Sequence, residues 1–144
     1  MSRGPGRALL VSGVIVAALT GCAQSAGADC PPTTAYAGPS DLAETIGADR
    51  LGTVTDGRDE PGLSTLALES QRSVADLRRR LGPAMARAGL QVLSEDNEGF
   101  EAEMYFGADD GTSAVARIRE NPLCEGRTTV QISVSRETSE PAAG

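Results

Sequence analysis

Three cysteines, Cys22, Cys30 and Cys124, are the residues whose chemistry is easiest to place, because the usual catalytic partners are missing from this chain. There is no histidine among 144 residues, and all 13 basic residues are arginine. That composition removes the Ser-His-Asp triad, the lysine Schiff base and the histidine-ligated metal together. A serine nucleophile would lack its ordinary base. Carboxylates are plentiful, at 20, and the densest groups are Asp109-Asp110 and Asp56, Asp59, Glu60. Neither group has the D-x-[DN]-x-[DN]-G spacing of a calcium loop, and turn chemistry accounts for both. No catalytic residue, metal site or cofactor is assigned, and the chain is read as a non-enzyme.

Cys22 stands at the end of a particular run. Arg3 and Arg7 precede a mostly apolar stretch from Ala8 to Leu19, and Leu19-Thr20-Gly21-Cys22 closes it. Charged, apolar, then small is the three-part pattern of an export signal. A dozen apolar residues fall short of the roughly 20 that a spanning helix needs. The four closing residues resemble the lipobox of bacterial lipoprotein precursors. That resemblance implies cleavage before Cys22, a diacylglycerol on its sulfur, and a mature protein lipid-anchored on the extracytoplasmic face of the cell membrane. An ordinary secretory signal cut near Gly21 or Ala23 is the alternative. With Cys22 given to the anchor, Cys30 and Cys124 remain as an even pair in an oxidising compartment, where a disulfide is the default and two free thiols the alternative.

Removing residues 1–21 leaves 123, enough for one small domain and a tether. The formal charge of −7 becomes −9, with 11 basic residues against 20 acidic ones. A balance that acidic argues against nucleic acid, whose phosphates need basic contacts. Residues 22–40 are small, polar and interrupted by Pro31, Pro32 and Pro39, so they read as a flexible tether with Cys30 its one fixed point. The domain is placed at 41–137 and a disordered tail at 138–144.

Within the domain, Ser40 can cap a short helix over Asp41–Gly47, with Leu42 and Ile46 on one side. Thr55 to Gly62 is acidic and turn-rich, hence a loop. Residues 63–69 fit strand and helix spacing alike. The strand is preferred because Ser73 with Asp76 looks like a fresh helix start. From Ser73 to Ala88, Val74, Leu77, Leu81, Met85 and Ala88 fall on one stripe, with Gly89 placed to end the helix. Pro83 lies on the polar face, where a kink need not disturb the stripe.

After Gly89 the period becomes two, giving strands over Leu90–Glu95, Phe100–Phe106, Ser113–Arg119 and Thr128–Ser135. Phe100, Ala102, Met104 and Phe106 share a dry face. Asp109-Asp110-Gly111 fits a three-residue hairpin loop, which sets Glu103 opposite Arg117, Glu101 opposite Arg119 and Tyr105 opposite Val115. The expected architecture is α+β: one amphipathic helix packed on a four- to five-stranded antiparallel sheet. Helix, glycine, strand and meander in that order, with lysine-free usage, look like small lipoproteins of high-GC Gram-positive bacteria. No functional subfamily is indicated.

The functional expectation follows from location. With no Trp, two Tyr and two Phe, both Phe placed in the core, the chain offers no aromatic platform for sugars. Arg72, Arg79, Arg80 and Arg87 form either a solvated helix back or a contact for an anionic surface. A non-catalytic binding or accessory module, meeting a protein partner at the cell envelope, is the leading reading. An inhibitor of a secreted hydrolase, using loop Glu120–Gly126, is the alternative, and an enzyme of unfamiliar type ranks third.

Overall fold

Alternation at period two fixes the centre of the molecule. In Leu63–Ser70 (β2), Ser64, Leu66, Leu68 and Ser70 are buried and the residues between them are not. The stretch that fitted two periods is therefore a strand, as preferred. The computed structural model describes residues 30–137. The signal segment, Cys22 and the tail 138–144 lie outside the described residues.

Six antiparallel strands form one sheet, in the order β1-β2-β6-β5-β4-β3. They are Thr53–Glu60 (β1), β2, Gln91–Asn97 (β3), Glu101–Gly107 (β4), Ser113–Glu120 (β5) and Thr128–Ser135 (β6). β1 and β2 make a hairpin closed by Pro61 and Gly62, the latter at φ 80°. Helix α2, Val74–Ala86, then carries the chain to the opposite edge. From there β3 to β6 meander back until β6 pairs with β2. Helix α1, Asp41–Ile46, lies beside α2 on the same face of the sheet, so that one core is shared by all of them.

The sheet has six strands where four to five were expected, because Thr55 to Glu60 of the presumed loop from Thr55 to Gly62 belong to β1. An edge strand needs only backbone pairing on one side, so its outward side chains can be wholly polar. Gly57 carries the inward contact: a Cβ there would meet Ser40 Cβ at 3.1 Å and the Tyr36 ring at 3.2 Å. The turn signal was real but confined to Pro61-Gly62. A second correction concerns Phe100. It is 53% exposed at the β3–β4 turn, just outside β4, and so contributes little to the core. Third, the strand expected over Leu90–Glu95 runs from Gln91 to Asn97, with Leu90 buried ahead of it. Its ladder slips at Leu93, between Val92 and Ser94, and every residue of it is exposed, as suits the far edge.

Both helices are ended as their sequences direct. Ser40 Oγ accepts from the Ala43 N–H and Ser73 Oγ from the Asp76 N–H. Gly89, at φ 78°, closes α2 by donating to Ala86 O while Leu90 N–H reaches Met85 O. Pro83 is exposed and the helix runs through it without a break. Val74, Leu77, Leu81, Ala84 and Met85 are buried against the sheet, each at 1% exposure or less. Burying a side chain the size of leucine stabilises the fold by about 1.5–3 kcal/mol.

Residues 30–40 have no regular secondary structure, yet they are docked. The Tyr36 N–H donates to Val54 O at 2.8 Å, along the outer edge of β1. Thr33 Oγ1 donates to Glu69 Oε2 at 2.5 Å, and Arg127 Nη1 donates to Pro31 O at 2.6 Å. The described part of the expected tether is thus held against the sheet on both sides of its prolines.

Candidate functional site

One face of the sheet is covered by α1 and α2, and the other meets solvent. Strand pairing dictates what that open face carries. Across its middle run Ser94, Tyr105, Val115, Ser133, Thr65 and Arg58, one from each strand. The neighbouring rows hold Glu103 with Arg117 and Glu101 with Arg119, in the register that the hairpin loop predicts. Gly111 sits at φ 82° in that loop, and Asp110 Oδ1 accepts from the Thr112 N–H at 2.9 Å.

The charges on this face are mutually engaged. Arg117 Nη2 donates to Glu103 Oε1 at 2.6 Å, and Arg119 Nη2 lies 2.9 Å from Glu101 Oε2. The Tyr105 hydroxyl donates to Glu103 Oε2 at 2.6 Å. That hydrogen bond, with the one from Arg117, holds the Glu103 carboxyl below its ordinary pKa, and Glu103 in turn raises the phenol of Tyr105. Exposed pairs of this kind stabilise little and serve mainly to fix register and surface pattern. Apolar atoms accompany them: Tyr105 is 43% exposed, and Leu93 leans over Gly107, 2.9 Å from where a Cβ would stand.

The arginines of α2 are less available than their sequence suggests. Asp76 accepts from Arg80 at 2.8 Å, from Arg72 at 3.2 Å and from Arg79 at 3.3 Å. The Arg80 hydrogen bond is the chief reason that the Asp76 carboxyl is held below its ordinary pKa. Arg87 Nη2 donates to Ile46 O at 2.7 Å and so ties α2 to the end of α1. The cationic back of the helix is therefore organised around one carboxylate and one carbonyl.

Cys30 and Cys124 stand at disulfide distance, with Cα atoms 5.4 Å apart. Cys124 is buried in the β5–β6 connection, a tight loop in which the Asn121 N–H donates to Arg127 O and the Arg127 N–H to Cys124 O. Leu123, beside it, is 75% exposed. At this end of the sheet a cleft of about 500 Å³ opens between Arg50, Gly52, Glu69, Ser70, Arg72 and Arg127. Its floor is fixed by Ser70, whose buried hydroxyl donates to Leu51 O at 2.7 Å. Reading the sequence singled out neither Arg50 nor Arg127. The one available signal was that Arg127 follows Cys124 by three residues, so a bridge to Cys30 brings it to Pro31.

Of the carboxylates considered for metal, Asp56, Asp59 and Asp110 accept backbone N–H groups and Glu60 lies beside Arg58. Asp56 Oδ1 accepts from the Gly57 N–H at 3.0 Å, and Asp59 Oδ2 from the Asp41 N–H at 2.9 Å. Among the described residues no three His, Cys, Asp or Glu side chains are gathered as a metal site. No protein-family model matches the chain, and neither curated proteins nor solved structures yield a significant match.

Proposed function

We propose that this protein is a lipid-anchored module on the extracytoplasmic face of the cell membrane, non-catalytic, that binds a protein partner through its open sheet face. The observation that supports this reading is the asymmetry of the sheet. One face is sealed by two helices, while the other presents polar and paired charged side chains with Tyr105, Val115 and Leu93 among them. Aromatic and aliphatic groups set in a polar surround are what protein interfaces use as anchors. Anchoring through Cys22 rests on the lipobox resemblance. Two acyl chains, at about 0.8 kcal/mol per buried methylene, hold a protein stably where one chain is marginal.

Two measurements test the two halves. Cys22→Ser should release the protein from the membrane fraction or leave it unprocessed. Mature-length protein still on the membrane would refute the anchor. A photo-crosslinking residue at Val115 should capture an envelope protein in living cells, and Tyr105→Ala should weaken that capture. A crosslink formed only from position 123 would favour the second reading, an inhibitor of a secreted hydrolase. That reading is supported by Leu123, exposed on a loop braced by the Cys30–Cys124 pair.

A further inference from the structure

The anchor and the cysteine pair have a joint consequence. Cys124 lies in the loop between β5 and β6, and antiparallel pairing brings the start of β1, the end of β2 and Ser73 of α2 to the same end of the domain. The Pro61-Gly62 turn, the Asp109–Gly111 hairpin, Arg136 and Glu137 form the other end. A strand of eight residues separates the two ends by about 26 Å, at roughly 3.3 Å per residue.

Only seven residues stand between Cys22 and Cys30. Eight successive Cα steps span at most about 29 Å however the chain runs. Without the Cys30–Cys124 bond the first backbone hydrogen bond to the sheet is that of the Tyr36 N–H to Val54 O, and the same limit would rise to about 50 Å. The bond therefore shortens the leash by about two-fifths and attaches it at one end of the sheet.

Charge points the same way. Asp41, Asp59, Glu60, Asp109, Asp110 and Glu137 crowd the far end, against Arg58 and Arg136. At the disulfide end Arg50, Arg72, Arg119 and Arg127 stand among Asp49, Glu69, Glu98, Glu101, Glu120 and Glu125, a smaller acidic excess. A bilayer with anionic headgroups repels the first end more than the second, over the roughly 8 Å that salt leaves unscreened.

We infer that the disulfide sets the orientation of the domain: the Cys124 loop and the arginine-lined cleft face the bilayer, and the acidic hairpin end points away from it. This inference rests on the lipid-anchor reading of Cys22. In that orientation the strands rise from the membrane and the open face stands beside it, accessible to a partner in the same envelope layer.

The chain has no tryptophan, so a single one reports a single place. Leu123→Trp and Asp109→Trp mark the two ends in full-length lipidated protein. Each is reconstituted into phosphatidylcholine–phosphatidylglycerol vesicles bearing dansyl-phosphatidylethanolamine, and dansyl emission sensitised by tryptophan is read. Position 123 should give several-fold more sensitised emission than position 109. In a Cys30→Ser, Cys124→Ser background, where the leash is longer, the ratio should fall. Equal emission from the two positions with the bond intact overturns the orientation, and an unchanged ratio in the double variant overturns the part assigned to the bond. Protein that does not float with the vesicles refutes the anchor itself, which separates failure of that reading from failure of this one.

Discussion

Breaking the Cys30–Cys124 link should cost this domain a large part of its stability. The two residues are 94 apart in sequence, so the bond closes nearly the whole described chain into one loop. In the chain-entropy relation a loop of that length removes about 16 cal/mol/K from the unfolded ensemble, or about 4.7 kcal/mol at 25 °C. Small domains have about 5–15 kcal/mol in all, so the variant Cys30→Ala, Cys124→Ala should be marginal. Native contacts partly outlast the change, since Arg127 still reaches Pro31 O and Tyr36 still pairs with Val54. The effect therefore falls mainly on the unfolded state, and it has a second signature. An uncrosslinked chain exposes more surface on unfolding, so the guanidinium m-value should rise while the midpoint falls. With an unfolding entropy of about 2.1 cal/mol/K per residue, the melting temperature should drop by roughly 20 °C. Denaturant and thermal unfolding of the purified mature protein, variant against wild type, measure both. A loss below about 1 kcal/mol with an unchanged m-value would refute the reasoning. Two alkylatable thiols in the unreduced wild type would refute its premise.

Two further outcomes follow from the β4–β5 hairpin and the carboxylates. Gly111→Val should destabilise the domain by about 1 kcal/mol or more, because φ 82° strains a β-branched residue, whereas Asp110→Asn should change little; thermal melts of the two variants check this. Asp76 and Glu103 have folded-state pKa values below their unfolded ones, so the stability they lend is complete above the unfolded values and is lost as pH falls through the folded ones. Melting temperature should therefore hold above pH 5 and decline below about pH 4, and Glu103→Gln should make that acid decline shallower. A decline of unchanged steepness in that variant would assign it to other carboxylates.

Local pattern was enough wherever a segment had only to distinguish one face from another. Ser40 and Ser73 were legible as caps because their hydroxyls answer the first turn of their own helices. The β4–β5 register was legible because loop length, core pairs and charge pairs all select one alignment, and a slip by one residue would invert both faces. β1 was not legible, since its polar residues carry no alternation and it becomes a strand only by pairing with β2. Phe100 was misread for a related reason: it keeps the parity of the dry face but lies beyond the end of β4, where nothing covers it.

The sequence by itself determined the absence of histidine and lysine, both helices, and five strands of the six, one of them on a narrow preference. Those properties reside in composition and in neighbours a few residues apart. Tertiary structure alone decided that Arg87 serves α1 and that residues 30–36 lie along the sheet instead of swinging free. It also decided which end of the sheet receives Cys30. Arg87 and Ile46 are 41 residues apart and Cys30 and Cys124 are 94 apart, so no local spacing encodes their meeting. Such contacts form only once the sheet has brought distant strands into line.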